Sequence, residues 1–347
     1  MNYKIFGTRS GLRVSELALG TGNFGTRWGH GADESTALKI FNGYIEAGGN
    51  FIDTADGYQK GESEELIGKF IKGKRQELVL SSKFTTGGST PLTTGNSRKN
   101  IRNSIEGSLK RLNTDYLDIY WAHISDGQTP IEEVMKTLED LTREGKILYS
   151  GFSNFPAWQI ASAATMSDLK GWSPLIGIQI EYNLIDRSAD RELLPMAEGF
   201  GLGVAFWSPL AGGTLTGKYR AAAQENISRQ QAWGGTLVKA ESSLRETNIV
   251  DTLEAIAKEQ GVKVLEIALA WVRQKHDQSG LSTVTILGPR TELQLADNLK
   301  SLDVKLSVDQ MQRLNEVSAI TLGSPHEIIA ENREAIFGAG SSLFPAL

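Results

Sequence analysis

The sequence predicts a closed (β/α)8 TIM barrel, and three observations carry that reading. Eight short apolar runs rich in β-branched and aromatic residues recur along the chain, amphipathic stretches separate them, and the first seven are evenly spaced. The runs are 17–22 (LALGTG), 51–55 (FIDTA), 78–84 (LVLSSKF), 117–123 (LDIYWAH), 147–153 (ILYSGFS), 177–183 (GIQIEYN), 203–208 (GVAFWS) and 284–288 (VTILG). The starts of the first seven are 34, 27, 39, 30, 30 and 26 residues apart, one strand–helix unit each. Strands that are apolar on both faces imply a parallel sheet covered by helices. Eight such units favour closure into a barrel over an open, doubly wound sheet.

The remaining elements follow in order. Residues 3–16 (YKIFGTRSGLRVSE) read as a short hairpin with Gly11 at its turn, capping the barrel floor. Ala37, Ile40, Phe41, Tyr44 and Ile45 mark one amphipathic helix, and Val134, Leu138 and Leu141 another. Asp33 and Pro130 stand at helix starts, Gly145 and Gly261 at helix ends. The eighth run begins 81 residues after the seventh, so an insertion lies between them. Within it, 212–246 is Gly-, Ala- and Gln-rich and weakly periodic, and reads as a long loop after the seventh strand. An extra helix is expected at 307–318, capped by Ser307 and followed by a coil tail over 319–347. With no linker or low-complexity run, residues 1–347 are expected to form a single domain.

Composition narrows the function. The 347 residues carry 36 Lys and Arg against 41 Asp and Glu, a formal charge of −5, with no basic stripe for nucleic acid or anionic membrane. The absence of cysteine excludes disulfides, thiolate zinc sites and cysteine nucleophiles. No leader-like start and no run of apolar residues long enough to span a membrane is visible, so a cytoplasmic location is expected. The four histidines (30, 123, 276, 326) lack ligand spacing, and no metal is expected.

Two phosphate motifs invite attention and are refused. Gly20-Thr21-Gly22-Asn23-Phe24-Gly25 matches G-x-G-x-x-G, but that fingerprint needs a helix N-terminus directly behind the glycines. Here 26–31 intervene before a helix can begin near Asp33. The stretch 212–218 (GGTLTGK) mimics a phosphate loop, yet Tyr219 stands where Ser or Thr must reach magnesium.

In such a barrel the strands' C-terminal ends carry the chemistry. Asp53 lies near the end of run two with Tyr58 in its loop, Lys83 ends run three and His123 ends run four. Each alone reads equally well as a structural residue; four ionisable groups from consecutive strands do not. A buried lysine demands a partner, and Asp53 is the available carboxylate. A lysine beside Tyr58 is expected to lower the phenol from about 10, making it a proton donor near neutral pH. His123 is placed to hydrogen-bond or orient a carbonyl.

The stretches GLRVSELALGTGNFG (11–25), GGNFIDTADGY (48–58), SSKF (81–84), TDYLDIYWAH (114–123), GKILYSGFSNF (145–155), IQIEYNLIDR (178–187), WSPLAGGTLTGKY (207–219) and ILGPRTELQLADNL (286–299) resemble the aldo-keto reductase superfamily. The branch is that of bacterial reductases and potassium-channel beta subunits. The resemblance implies a catalytic tetrad of Asp53, Tyr58, Lys83 and His123, with Tyr58 as general acid; channel beta subunits typically carry Asn at the His123 position. It also implies an extended nicotinamide dinucleotide. Gly20 and Asp53 would touch the cofactor, Thr21 and Gly22 would lie by the nicotinamide ribose, Ser153, Asn154 and Gln179 would hold the carboxamide, and Trp207 would stack on the ring. Ser208, Leu210, Gly212 and Lys218 would line the pyrophosphate. Gly288, Arg290, Gln294, Asp297 and Asn298 would hold the adenosine end, and Arg229 would reach it from the long loop.

Arg290 and Lys218 favour NADP(H) over NAD(H), because a guanidinium pairs with a 2′-phosphate. The implied activity is NADPH-dependent reduction of a small-molecule aldehyde or ketone, of the alcohol dehydrogenase/carbonyl reductase type. The insertion at 212–246 is then expected to act as a lid. The alternative is an NADP-binding regulatory or redox-sensing subunit with little catalysis. Trp28, Phe84 and Trp121 are candidates for an apolar substrate wall, with core packing at least as good a reading of Trp121; the substrate itself and the choice between monomer and homo-oligomer stay open.

Overall fold

The computed structural model describes residues 1–221, 241–277 and 279–338. Eight parallel strands close into a barrel: β3 (Leu17–Gly20), β4 (Phe51–Asp53), β5 (Val79–Phe84), β6 (Leu117–Ala122), β7 (Ile147–Ser153), β8 (Leu175–Glu181), β9 (Gly203–Trp207) and β10 (Thr283–Leu287). Each pairs with the next in chain order, and β10 returns to β3 through Thr285↔Leu17 to Leu287↔Leu19. All eight runs therefore become barrel strands, and the sheet is covered outside by helices.

The hairpin is β1 (Tyr3–Ile5) against β2 (Arg13–Ser15). Its constrained glycine is Gly7 rather than Gly11: Gly7 has a φ of +72°, and a Cβ there would lie 2.6 Å from the Gly203 amide nitrogen. Gly11 faces open space. The hairpin places Phe6 inside the barrel with Phe51, Ile119, Trp121, Ile176, Val284 and Ile286. Gly151 and Gly177 make the room. A Cβ at Gly151 would stand 2.2 Å from the Trp121 ring, and one at Gly177 2.4 Å from Phe6. This aromatic plug closes the floor and leaves the opposite rim open for a site.

Several helices start where short polar side chains offer an acceptor to a free backbone N–H. Asp33 accepts from Thr36 N (2.8 Å) at the helix Glu34–Glu46, and Ser307 with Gln310 forms a capping box at Val308–Val317. Gly261 ends the helix Leu244–Gln260 in the left-handed region, without the steric cost a Cβ would bring.

Two expectations need correction. The 212–246 stretch is not loop throughout: Lys218–Ala221 is a helical turn and the helix from Leu244 begins inside it. A second helix, Val264–Gln274, follows before β10. The lid reading and Arg229 fall largely in 222–240, outside the described residues. The 319–338 tail contains two short helices, His326–Glu331 and Arg333–Phe337. No side chain of either helix is buried, so no buried apolar stripe marked them in the sequence.

Candidate active site

Pairing of β4, β5 and β6 at their C-terminal ends brings the four ionisable residues together. Gly20↔Asp53 and Asp53↔Ser81 align the first three strands, and Lys83↔Trp121 sets Lys83 one step from the end of β5. His123 follows β6 directly, its N–H donating to Phe84 O at 3.1 Å. Tyr58 opens a tight turn, Tyr58–Gly61, in which Gln59, Lys60 and Gly61 all have positive φ. Two non-glycine residues in the left-handed region mark stored strain, a feature that clusters at functional sites.

Lys83 is fully buried. Its ammonium donates to Asp53 Oδ2 (2.6 Å), Thr54 O (2.7 Å) and Tyr58 OH (3.1 Å), using all three hydrogens. Asp53 Oδ1 accepts from Ser81 Oγ (2.7 Å) and Gln179 Nε2 (3.0 Å). Burial alone would lower the Lys83 pKa, but Asp53 and Tyr58 together raise it, so the ammonium stays charged. The His123 ring stands edge-on to Tyr58, centroids 5.9 Å apart. Burial, with Lys83 adding to it, pushes His123 down to about 3, and it is neutral near pH 7.

The expected direction for Tyr58 is overturned. Its pKa lies above the ordinary value because burial of the phenolate dominates. Lys83 offsets only part of this, since its charge is shared with Asp53.

Asp53, Tyr58 and His123 open on one cavity of about 1310 Å³ that runs past Trp207 to Gly288 and Asn298. That exceeds the roughly 300–1,000 Å³ typical of a drug-sized ligand and leaves room for two molecules. Of the residues expected around a dinucleotide, Gly20, Gly22, Asp53, Ser153, Asn154, Gln179, Trp207, Ser208, Leu210, Gly212, Lys218, Gly288, Gln294, Asp297 and Asn298 line it. Thr21 and Arg290 do not. The Thr21 hydroxyl is buried against Asp53 O (3.1 Å), and at Arg290 the backbone N–H donates to Gln294 Oε1 (2.8 Å). Asp297 is engaged by Lys263 at 2.7 Å. Asn154 holds a φ of +54° and accepts from Trp207 Nε1 at 3.2 Å, tying two expected cofactor contacts to each other.

Both refused motifs stay refused as phosphate loops. The first glycines end β3 and the next helix begins only at Glu34. The second forms a turn, Ala211–Thr216, with left-handed Gly212 and Gly213. Among the three aromatic wall candidates only Trp28 lines the cavity, edge-on to Tyr58 at 6.2 Å. Trp121 and Phe84 are fully buried core residues. Sequence reasoning missed Ser81, which holds Asp53, and Asp56, which lines the same cavity two residues before Tyr58. The signal for Asp56 was present: a second carboxylate in Asp53-Thr54-Ala55-Asp56-Gly57-Tyr58.

The Aldo/keto reductase family model matches residues 16–319. The chain belongs to the aldo/keto reductase family. It is 36% identical over 329 residues to the Uncharacterized oxidoreductase YrpG of Bacillus subtilis (strain 168), covering 91% of this chain and 96% of that one. It is 35% identical to the Aryl-alcohol dehydrogenase [NADP(+)] of Phanerodontia chrysosporium, covering 95% and 87%. A Probable voltage-gated potassium channel subunit beta of Oryza sativa subsp. japonica is 37% identical, covering 88% and 92%. This aldo/keto reductase has, among its described residues, no helix long and apolar enough to cross a membrane. No group of three or more His, Asp or Glu among them is placed to hold a metal.

Proposed function

We propose that this chain reduces an aldehyde or ketone to an alcohol with NADPH, Tyr58 donating the proton. The observation that carries this is the Tyr58 hydroxyl held 3.1 Å from a buried, charged Lys83 at one end of a cavity large enough for cofactor and substrate together. Bound NADPH supplies the hydride. The residues present fit it. Gln179 spends its amide N–H on Asp53, which leaves its carbonyl for a carboxamide. The Gly212–Gly213 turn with Lys218 suits a pyrophosphate. Trp207 has its ring nitrogen fixed on Asn154, and its indole face is a stacking surface.

Of the groups around the carbonyl, neutral His123 is a poor acid and serves to hydrogen-bond the oxygen. Tyr58 is the acid. As its proton leaves, the developing phenolate meets the Lys83 ammonium, a charge already in place and needing no reorganisation. Asp53 and Thr54 O keep that ammonium oriented.

Arg290, two residues after Gly288, and Lys218 on the cavity wall support NADP(H) over NAD(H), as does the cofactor in the fungal relative's name. A second reading, an NADP-binding regulatory subunit, draws on the rice relative. NADPH oxidation with a panel of aldehydes, ketones and quinones separates the two. Tyr58→Phe should abolish turnover and leave NADPH binding, read by Trp fluorescence, nearly intact. A variant that kept most of its activity would remove the proton-donor role.

A further inference from the structure

Asp56 stands on the turn that carries Tyr58, and the cavity extends behind that turn. Its backbone N–H donates to Lys83 O (3.1 Å), so the turn is clipped to the strand that holds the lysine. The carboxyl is more than nine-tenths buried, lines the cavity, and leaves Oδ1 without a hydrogen-bond partner. It is packed closely: a Cβ on Gly87 would lie 2.4 Å from its carboxyl carbon. An unpartnered carboxyl in such a place is costly unless it keeps its proton or does something.

The groups facing it come from every neighbouring element. From the helix Glu62–Phe70 comes Glu64, fully buried and paired with Arg111 (Nε–Oε2 2.7 Å) of the helix Arg98–Leu112. Ser104 of that second helix, whose hydroxyl donates to Asn100 Oδ1 (3.4 Å), lies close enough to the Asp56 carboxyl to favour its ionised form slightly. Tyr120 of β6 presents a buried hydroxyl with no partner, and its affinity for its proton responds to Asp56, Glu64 and Arg111. Tyr58 lies on the same turn, and Lys83 with Asp53 lies beyond it. Burial first, and the Glu64 charge second, raise Asp56 to about 7, with Arg111 pulling the other way.

We propose that Asp56 is a positioning residue whose charge sets the acidity of Tyr58, so that carbonyl reduction is fastest while Asp56 is protonated and slows as it ionises. A carboxylate two residues from Tyr58 opposes the negative charge that the phenol acquires as its proton passes to the substrate oxygen. Lys83 supports that charge and ionised Asp56 resists it. The proposal takes Tyr58 as the proton donor.

Two measurements test it. In the protein without cofactor, infrared difference spectra between about pH 6 and about pH 8 should show a protonated carboxyl that disappears with a midpoint near 7 and is missing in Asp56→Asn. This readout does not depend on turnover. In the NADPH-loaded enzyme, kcat for carbonyl reduction should fall roughly three- to tenfold across the same interval, as a Brønsted response to a weaker phenol. Asp56→Asn should hold the low-pH rate throughout. Glu64→Gln, which removes a like charge and frees Arg111, should move the midpoint to lower pH. An Asp56→Asn enzyme that keeps the descending limb, or a Glu64→Gln enzyme with an unmoved midpoint, would overturn the proposal. Activity surviving in Tyr58→Phe would instead overturn the proton-donor reading beneath it.

Discussion

Replacing Lys83 by Met tests whether the centre of the site is held together as a buried ion pair. Methionine reproduces most of the lysine stem, so little volume is lost; what goes is the charge and three hydrogen bonds, at 2.6, 2.7 and 3.1 Å. Asp53 keeps Ser81 and Gln179 on Oδ1, while Oδ2 faces the barrel interior bare. Breaking a buried pair by removing one partner costs about 3–5 kcal/mol, because the remaining charge is uncompensated. Unfolding entropy near 2.1 cal/mol/K per residue over 347 residues gives about 0.7 kcal/mol/K, so Tm should fall by about 4–7 °C.

Scanning calorimetry of wild type and variant at about pH 7 is the assay. The double variant Asp53→Asn/Lys83→Met should recover most of the loss, since it leaves no charge unpaired. A fall in Tm of less than about 1 °C, or a double variant as unstable as the two single losses added, would refute the reasoning.

Two further expectations concern the cofactor end and the barrel floor. Arg290→Ala should weaken NADPH binding more than NADH binding in fluorescence titrations, because only NADPH carries the 2′-phosphate; equal losses would sink that argument. Gly151→Ala places a methyl group 2.2 Å from the Trp121 ring and 2.8 Å from Gly177 O. It should destabilise by roughly 1–3 kcal/mol or more in denaturant unfolding, the usual range for overpacking, and a neutral result would mean that the aromatic plug is loosely held.

Most of the barrel was legible in the sequence, for a physical reason. A strand buried on both faces must be apolar throughout and short, so LDIYWA and GVAFW stand out without any knowledge of their neighbours. Polar residues interrupting such strands are costly to bury, which is why Asp53, Lys83 and His123 could be picked out one by one. The short helices at 326–337 stayed invisible because none of their side chains is buried, and the same exposure left their boundaries unmarked. Phe84 looked like a substrate wall and proved to be core, as did Trp121, for which core was already an equal reading, because the side to which a strand residue points depends on the barrel's closure.

What the sequence alone determined, then, is the inventory: eight strands, an open rim, and a lysine that had to find a carboxylate. Tertiary structure decided how those groups act on one another. Lys83 beside Tyr58, taken from the sequence alone, implies a phenol of increased acidity. The fold buries that phenol, gives two of the lysine's three hydrogens to Asp53 and Thr54, and leaves the net direction upward. Asp56 shows the same division. Its identity is plain in the D-T-A-D-G-Y stretch, but only the packing of Gly87, Glu64 and Arg111 around it makes it a group that ionises near neutrality. Proximity along a chain can be read from letters, whereas desolvation is a property of everything that surrounds a group in space.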